Sequence, residues 1–203
     1  MTHIDTIVFD IGNVLAAFDW HSFVKDFGYD EKTNGEITRA VFQSPDWSQV
    51  DLGLKTDEEL MEAFVNNAPH LKKEIEEIFA RWQYSVKEYP FSESWLGGLK
   101  AKGYKIYVLS NYGRTMFTYA REHFRFLRHV DGGIISYQIN KIKPYPEIYK
   151  ALIEKYDIIP EKAVFLDDLP DNIAAAAALG MNTVLVTDHQ SAVEGLARLG
   201  IYE

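Results

Sequence analysis

Val8-Phe9-Asp10-Ile11-Gly12-Asn13-Val14-Leu15 is the stretch on which the reading turns. An apolar run that starts at Ile4 ends in a carboxylate, and a glycine follows two residues later. With Ile4–Phe9 as a strand, Asp10 stands at its C-terminal edge, where open α/β sheets bind their ligands. Asp-x-Gly-Asn is also an ordinary turn sequence, so the assignment depends on whether other strands end in the same way.

Four further short runs rich in β-branched and aromatic residues follow: Lys105–Leu109, Gly133–Ser136, Ala163–Leu166 and Thr183–Val186. Helical spacing fills the intervals, at Glu93–Lys102, Arg114–Phe124, Pro146–Tyr156 and Asp171–Leu179, and again at Ser191–Leu199. Nearly continuous apolar strands alternating with amphipathic helices predict an α/β fold, a Rossmann-like parallel sheet with helices on both faces. Gly103 and Gly180 read as helix stops. Pro160 closes the preceding helical region ahead of the strand at Ala163.

Residues 17–88 follow another pattern, helical almost throughout and without a convincing strand. Thr56-x-x-Glu59 is a capping box that starts a helix at Asp57, and Leu60, Ala63 and Phe64 continue it. Leu71, Ile75, Ile78, Phe79 and Trp82 repeat the period. The expectation is a small all-helical cap over 17–88, inserted after the first strand, with the catalytic core formed by 1–16 and 89–203. Pro90 marks the return to the core.

Bulk composition narrows the function. The 203 residues are 47% hydrophobic and 25% charged, enough for one core with a modest insertion. A net charge of −9 argues against general nucleic-acid binding. It leaves room for anionic substrates, because a bound divalent cation reverses the local field. Absence of cysteine excludes disulfides, thiolate metal sites and Cys nucleophiles together. No signal peptide is visible at Met1-Thr2-His3-Ile4-Asp5, and no apolar run approaches the roughly 18 residues of a membrane span. The expected location is therefore cytoplasmic, with no membrane or nucleic-acid partner. The six histidines lack metal-ligand spacing, which argues against zinc.

Three later strands end on chemistry-bearing residues, as the first does. Ser110-Asn111 follows Val108-Leu109 and offers a hydroxyl and a backbone N–H to a phosphate oxygen. Lys141-Ile142-Lys143-Pro144 supplies a cation before the helix at Pro146. Asp167-Asp168-Leu169-Pro170-Asp171-Asn172 follows Phe165-Leu166 as an acidic cluster. Taken singly these are an N-cap, a solvated loop and a turn; in order at successive strand ends they form a set.

That set resembles the haloacid dehalogenase superfamily over nearly the whole chain. The resemblance implies that Asp10 is the nucleophile and that Ser110 is the hydroxyl of the second motif. It assigns Lys143 to the third motif and Asp167-Asp168 to the fourth. It implies a Mg²⁺ cofactor on Asp10, the Gly12 carbonyl and Asp168, with Asp167 either a ligand or an acceptor behind one, and Asn172 behind the metal site. Mg²⁺ bridging a carboxylate and a phosphate screens the repulsion that makes phosphate monoesters slow to react. Ser110 and the Asn111 N–H would hold the equatorial oxygens, Lys143 would balance charge, and water would hydrolyse the aspartyl-phosphate. The resemblance also suggests a cis Lys143–Pro144 bond.

Asp-x-Gly-Asn-Val and Asp-Asp-x-x-Asp-Asn are most similar to the small sugar-phosphate phosphatases, a group that includes an α-D-glucose-1-phosphate phosphatase. The implied partner is a small phosphorylated metabolite, a hexose phosphate such as glucose 1-phosphate. Most phosphatases of the superfamily carry a second Asp, a general acid–base, two residues after the nucleophile; here that residue is Gly12. Such help is worth roughly 10²–10⁴-fold. Three readings stay open: Asp19 or His21 near the cap hinge replaces it, an anomeric leaving group needs little protonation, or the protein is slow or inactive. A non-catalytic binding module of the same fold is the alternative. A haloacid dehalogenase is disfavoured because 17–38 contains no Arg and because Asp167-Asp168 suits a metal.

For the substrate, Phe18, Trp20, His21, Phe42 and Trp47 are candidates to face the site from the cap, with Phe42 and Trp47 more readily explained as core. Arg114, four residues after Ser110, either reaches an anionic substrate or lies on the outside of its helix.

Overall fold

The computed structural model describes residues 3–202. Met1, Thr2 and Glu203, which the expected core boundaries include, lie outside the described residues. In chain order the elements are β1 (Thr6–Phe9), β2 (Ala16–Phe18), α1 (Trp20–Lys25), α2 (Glu31–Ala40), α3 (Trp47–Leu52), α4 (Asp57–Asn67), α5 (Lys72–Phe79), β3 (Val86–Glu88), α6 (Ser92–Ala101), β4 (Lys105–Ser110), α7 (Arg114–His123), β5 (Gly132–Ile135), α8 (Ser136–Ile139), α9 (Pro146–Tyr156), β6 (Ala163–Asp167), α10 (Pro170–Ala178), β7 (Asn182–Leu185) and α11 (His189–Arg198).

The main sheet runs β5-β4-β1-β6-β7, every pair parallel. β1 is central, and all four of its residues are buried. Alternation divides it between two cores. Ile7 and Phe9 pack with Trp95, Leu96 and Leu99, whereas Val8 packs with Ile148, Tyr149 and Leu152. Each such side chain contributes on the order of 1.5–3 kcal/mol by leaving water. Register aligns the strand ends: Phe9 lies beside Val108 on one side and Leu166 on the other. The next residues of β1, β4 and β6 therefore emerge together at the C-terminal edge.

Helices α1–α5 lie between β2 and β3, which pair antiparallel with Ala16 opposite Glu88 and Phe18 opposite Val86. This corrects the expectation of a strand-free segment. Three residues are too few to display a period-2 pattern, and both strands sit at the edges of the proposed insertion. The capping box is present at Thr56, whose Oγ1 accepts from Glu59 N at 3.2 Å while Glu59 Oε2 accepts from Thr56 N at 2.8 Å. Phe64, Ile75, Ile78 and Trp82 are buried in the same apolar cluster as Phe9 and Trp95, so the helical segment shares a core with one face of the sheet.

Polar bonds also fasten this segment to α7 and α8 beside the sheet. Ser136 Oγ donates to Asp51 O at 2.6 Å and Asn140 Nδ2 to Leu52 O at 2.8 Å. Thr115 Oγ1 donates to Asp57 Oδ2. Among the described residues no helix is long and apolar enough to cross a membrane.

Candidate active site

At the C-terminal edge of β1, Asp10 is buried and its backbone N–H donates to Leu166 O at 2.8 Å. Three donors converge on its Oδ1: Ile11 N at 2.7 Å, Ser110 Oγ at 2.6 Å and Lys143 Nζ at 2.9 Å. Among the described residues no donor reaches Oδ2. The carboxylate is thus oriented through one oxygen, with the other left for chemistry.

Lys143 is itself buried and bridges two carboxylates, with its Nζ donating to Asp167 Oδ2 at 2.6 Å. Its backbone is clamped by the Asn111 side chain. Lys143 N donates to Asn111 Oδ1 at 2.8 Å, and Asn111 Nδ2 donates to Lys143 O at 3.0 Å. The Lys143–Pro144 peptide bond is cis, as the resemblance suggested. Phe165 of β6 lies beneath the ammonium, 5.5 Å from ring centre to Nζ.

Asp167 is fully buried, and both of its oxygens are occupied. Oδ1 accepts from Leu169 N at 2.8 Å and Asn172 Nδ2 at 2.9 Å, and Oδ2 from Lys143. Asp168 is half-buried, faces the cavity and accepts from Asn13 Nδ2 at 3.0 Å. Asn13 reaches it from a left-handed backbone position, φ 54°, a conformation Asn tolerates better than most residues.

Burial sets the titration of this cluster. It pushes the Asp10 carboxyl up to about 6, with the Asp167 charge adding to the rise, while Lys143 and the Ser110 hydrogen bond oppose it. Burial raises Asp168 too, against the Asn13 hydrogen bond. For Lys143 burial alone would lower the ammonium, but Asp10 and Asp167 outweigh it and hold it above the ordinary lysine range.

Carboxylate oxygens of Asp10, Asp167 and Asp168 all lie within 4.8 Å of one another. Such a set of hard oxygen donors, with the Gly12 backbone also lining the cavity, fits a small divalent cation of the Mg²⁺ class. Among the described residues Lys143 alone pairs with this concentration of negative charge, which favours a further counter-charge.

The cavity above Asp10 measures about 230 Å³. Asp10, Gly12, Lys143 and Asp168 form its floor, and Phe18, Trp47, Asp51, Val86 and Tyr112 stand around it. Phe18 therefore reaches the site as expected, whereas Trp47, more readily explained as core, lines the cavity as well, its ring stacked on Phe18 at 5.7 Å. Phe42 is buried core.

Four expected substrate residues need correction. Asp19 is the N-cap of α1, its Oδ1 accepting from Ser22 N at 3.0 Å. That bond holds the carboxyl below its usual range, the wrong direction for an acid. His21 is exposed and stacks on Trp20, and Trp20 stacks on Phe42 at 5.3 Å. Neither lines the cavity. Arg114 is exposed, with its guanidinium over the Tyr137 ring at 5.1 Å.

Among the residues at the site that the sequence does not single out are Asn13, Asp51 and Tyr112. Asn13 had a visible signal, as the position after Gly12. Asp51 and Tyr112 had none, since a helical Asp and one more aromatic look ordinary.

Comparison with known proteins agrees with this architecture. A family model described as haloacid dehalogenase-like hydrolase matches residues 4–180. Acyl-CoA dehydrogenase family member 10 of Mus musculus is 25% identical over 95% of this chain, which spans 19% of that protein. The first curated relatives are all much longer, and the chain spans about a fifth of their length or less. D-ribitol-5-phosphate phosphatase of Bacteroides thetaiotaomicron is 26% identical, covering 89% of this chain and 90% of that protein. A solved HAD family enzyme from the same organism, in complex with magnesium and inorganic phosphate, superposes with a TM-score of 0.74. The two are 24% identical, with 90% of this chain and 93% of that one covered.

Proposed function

The chain belongs to the haloacid dehalogenase-like hydrolases, and from that premise we propose that it is a Mg²⁺-dependent phosphatase of a small phosphorylated metabolite, acting through a phosphoryl group carried on Asp10. The observation that carries this reading is the convergence of Ser110, Lys143 and Ile11 N on a single oxygen of Asp10, with the second oxygen free among the described residues. A carboxylate held in this way is poised to attack rather than to cap a turn.

Bound Mg²⁺ supplies charge screening between the carboxylate and the phosphoryl oxygens. Asp10, Asp168 and the Gly12 carbonyl would hold it. Asp167, saturated by Lys143, Asn172 and Leu169 N, acts behind them by keeping the lysine in place. The Asp10 oxygen attacks phosphorus in line with the departing ester oxygen. Ser110 and Lys143, already within hydrogen-bond reach of Asp10, transfer their donors to the phosphoryl oxygens as charge develops there. Water then attacks phosphorus and frees Asp10.

For the substrate class we favour a hexose phosphate of the glucose 1-phosphate kind. Phe18, Trp47 and Val86 give the cavity an apolar wall suited to the face of a sugar, above a floor suited to its phosphate. The helices of 17–88 serve as the cap that excludes water. The phosphate specificity named for the ribitol-phosphate relative supports a phosphorylated polyol or sugar. Asp168, facing the cavity beside Asp10, favours metal-assisted phosphoryl chemistry over dehalogenation.

The test is a panel of sugar phosphates, nucleotides and flavin mononucleotide, assayed with Mg²⁺ and with EDTA. Phosphate release from a hexose phosphate, abolished by EDTA, is the expected result. No release from any member would sink the proposal.

A further inference from the structure

We propose that Asp51, on α3, is the proton donor to the leaving oxygen, in place of the acid that Gly12 cannot supply. The inference rests on the phosphatase reading and deepens it.

Four observations lead to Asp51. The first is a vacancy of function at Gly12: a Cβ there would meet nothing within 4 Å, so packing does not demand glycine and no neighbouring group fills the space. Second, Asp51 is, among the described residues, the one carboxylate lining the cavity from the helical side, with Asp10 and Asp168 on the floor. Third, its side chain has no hydrogen bond or ion pair among the described residues, in contrast to Asp19, which is committed to capping α1.

Fourth, its position is fastened by the core and not by its own helix alone. Ser136 Oγ accepts from Tyr112 N at 2.9 Å while donating to Asp51 O at 2.6 Å. Two glycines mark how tightly α3 is seated. A Cβ on Gly113 would meet Val50 Cγ1 at 2.4 Å, and one on Gly53 would meet Tyr137 Cβ at 2.7 Å. Gly53 also ends α3 in the left-handed region, φ 64°, where L side chains are strained.

The chemistry around Asp51 suits a donor. Burial, reinforced by the Asp10 charge and opposed by Lys143, pushes its carboxyl up to about 7, so near neutrality a large share of molecules carries the proton. The Tyr112 hydroxyl lies on the same cavity, buried and without a partner. Burial, with Asp10 and then Asp51, raises its phenol, which keeps it a neutral O–H. An unpaired buried donor is costly, and a hydroxyl of the substrate would satisfy it. Tyr112 is therefore assigned to hold the leaving group while Asp51 protonates it.

The steps balance. As an Asp10 oxygen forms a bond to phosphorus and the ester P–O bond breaks, the Asp51 proton passes to the ester oxygen, giving a neutral alcohol and an Asp51 carboxylate. In the second half a water oxygen bonds to phosphorus and one water proton returns to Asp51. The Asp10–phosphorus bond breaks, and hydrogen phosphate leaves.

The test is leaving-group dependence in the first turnover, measured by rapid quench on Asp51→Asn. An alkyl phosphate needs its leaving oxygen protonated, whereas p-nitrophenyl phosphate does not. We expect the first-turnover rate on the alkyl ester to fall about 10²–10⁴-fold, and that on p-nitrophenyl phosphate to fall less than about tenfold. Asp51→Ala should behave alike, and both variants should melt no lower than the parent at pH 8, because the side chain has no bond to lose. Equal losses on both esters, or no loss on either, would overturn the assignment. If the parent protein releases phosphate from neither ester nor any member of the sugar-phosphate panel, the phosphatase reading fails instead.

Discussion

The floor and the walls of the cavity above Asp10 are built on opposite rules. On the floor each charged group is bonded to its neighbours: Lys143 to Asp10 and Asp167, Asp167 to Asn172 and Leu169 N, Asp168 to Asn13. In the walls Asp51 has no partner among the described residues and the Tyr112 hydroxyl is buried without one. The difference teaches where pre-organisation was needed. On the proposed mechanism, attack on phosphorus would use the same groups for every substrate, which fits their being locked in advance. Departure would depend on the alcohol, which fits groups left with bonding capacity to give.

The sharpest way to break this contrast is to unlock the floor. Lys143→Ala leaves Asp10 and Asp167 buried without their shared cation. Removing one partner of a buried ionic network costs about 3–5 kcal/mol, a melting temperature lower by roughly 2–4 °C for each kcal/mol in a chain of this size. The loss should depend on pH. Asp10, whose folded carboxyl already sits at about 6 through burial, titrates still higher once the lysine is gone. Lowering pH from 8 to 5 protonates it and removes the repulsion, so the deficit measured by thermal unfolding narrows at pH 5. A deficit that widens there would contradict the assignment of Lys143 as the pairing cation.

Disturbing the wall gives a smaller effect of a different kind. Ser136→Ala deletes the hydroxyl that joins Tyr112 N to Asp51 O. Two backbone groups lose a partner, a cost of about 1–3 kcal/mol, and Asp51 loses its register over the site. Turnover of an alkyl phosphate should fall more than turnover of p-nitrophenyl phosphate. Equal falls would mean that Ser136 supports the fold and not the placement of Asp51.

The smallest effect serves as a control, at the opposite end of the sheet. Asp131 pairs with Lys100 and accepts from Ile106 N at 2.8 Å, partly exposed to solvent. Burial alone would raise its carboxyl, but these partners outweigh it and hold the group below its usual value. A lowered carboxyl contributes stability above the unfolded value and loses it as pH falls through the folded one. Asp131→Asn should therefore cost about 0.2–1 kcal/mol near pH 7, fading under acid conditions and weakening in high salt. A loss as large as that of Lys143→Ala would erase the distinction between buried and exposed charge pairs.

The same contrast explains what could be read from sequence. The parallel sheet was legible because β1, β4 and β6 are nearly continuous apolar runs, and the floor was legible because Asp10, Ser110 and Asp167 complete or follow those runs directly. Lys143 sits eight residues past β5, beyond the short α8, and was legible from the Lys-Pro pair that precedes α9. The walls are set by tertiary docking. Asp51 lies between Val50 and Leu52 on a six-residue helix, and only the seating of α3 on Gly113 and Ser136 turns it toward Asp10. In sequence a capping aspartate and a catalytic one look alike, and Asp19 is told apart only by the Ser22 N–H that occupies it. β2 and β3 leave no signal in the sequence because three residues carry no measurable period.

The central claim is that Asp10 carries the phosphoryl group, and it is tested most directly by acid-quenching a single turnover of the best hexose phosphate with Mg²⁺ and mapping the protein by mass spectrometry. The account requires a phosphoryl group on the peptide containing Asp10, rising and decaying with product release. In Asp10→Asn the label should be absent and turnover lower by roughly 10⁴-fold or more. Complete turnover with no phosphoryl group on Asp10 at any quench time, or undiminished turnover by Asp10→Asn, would contradict it.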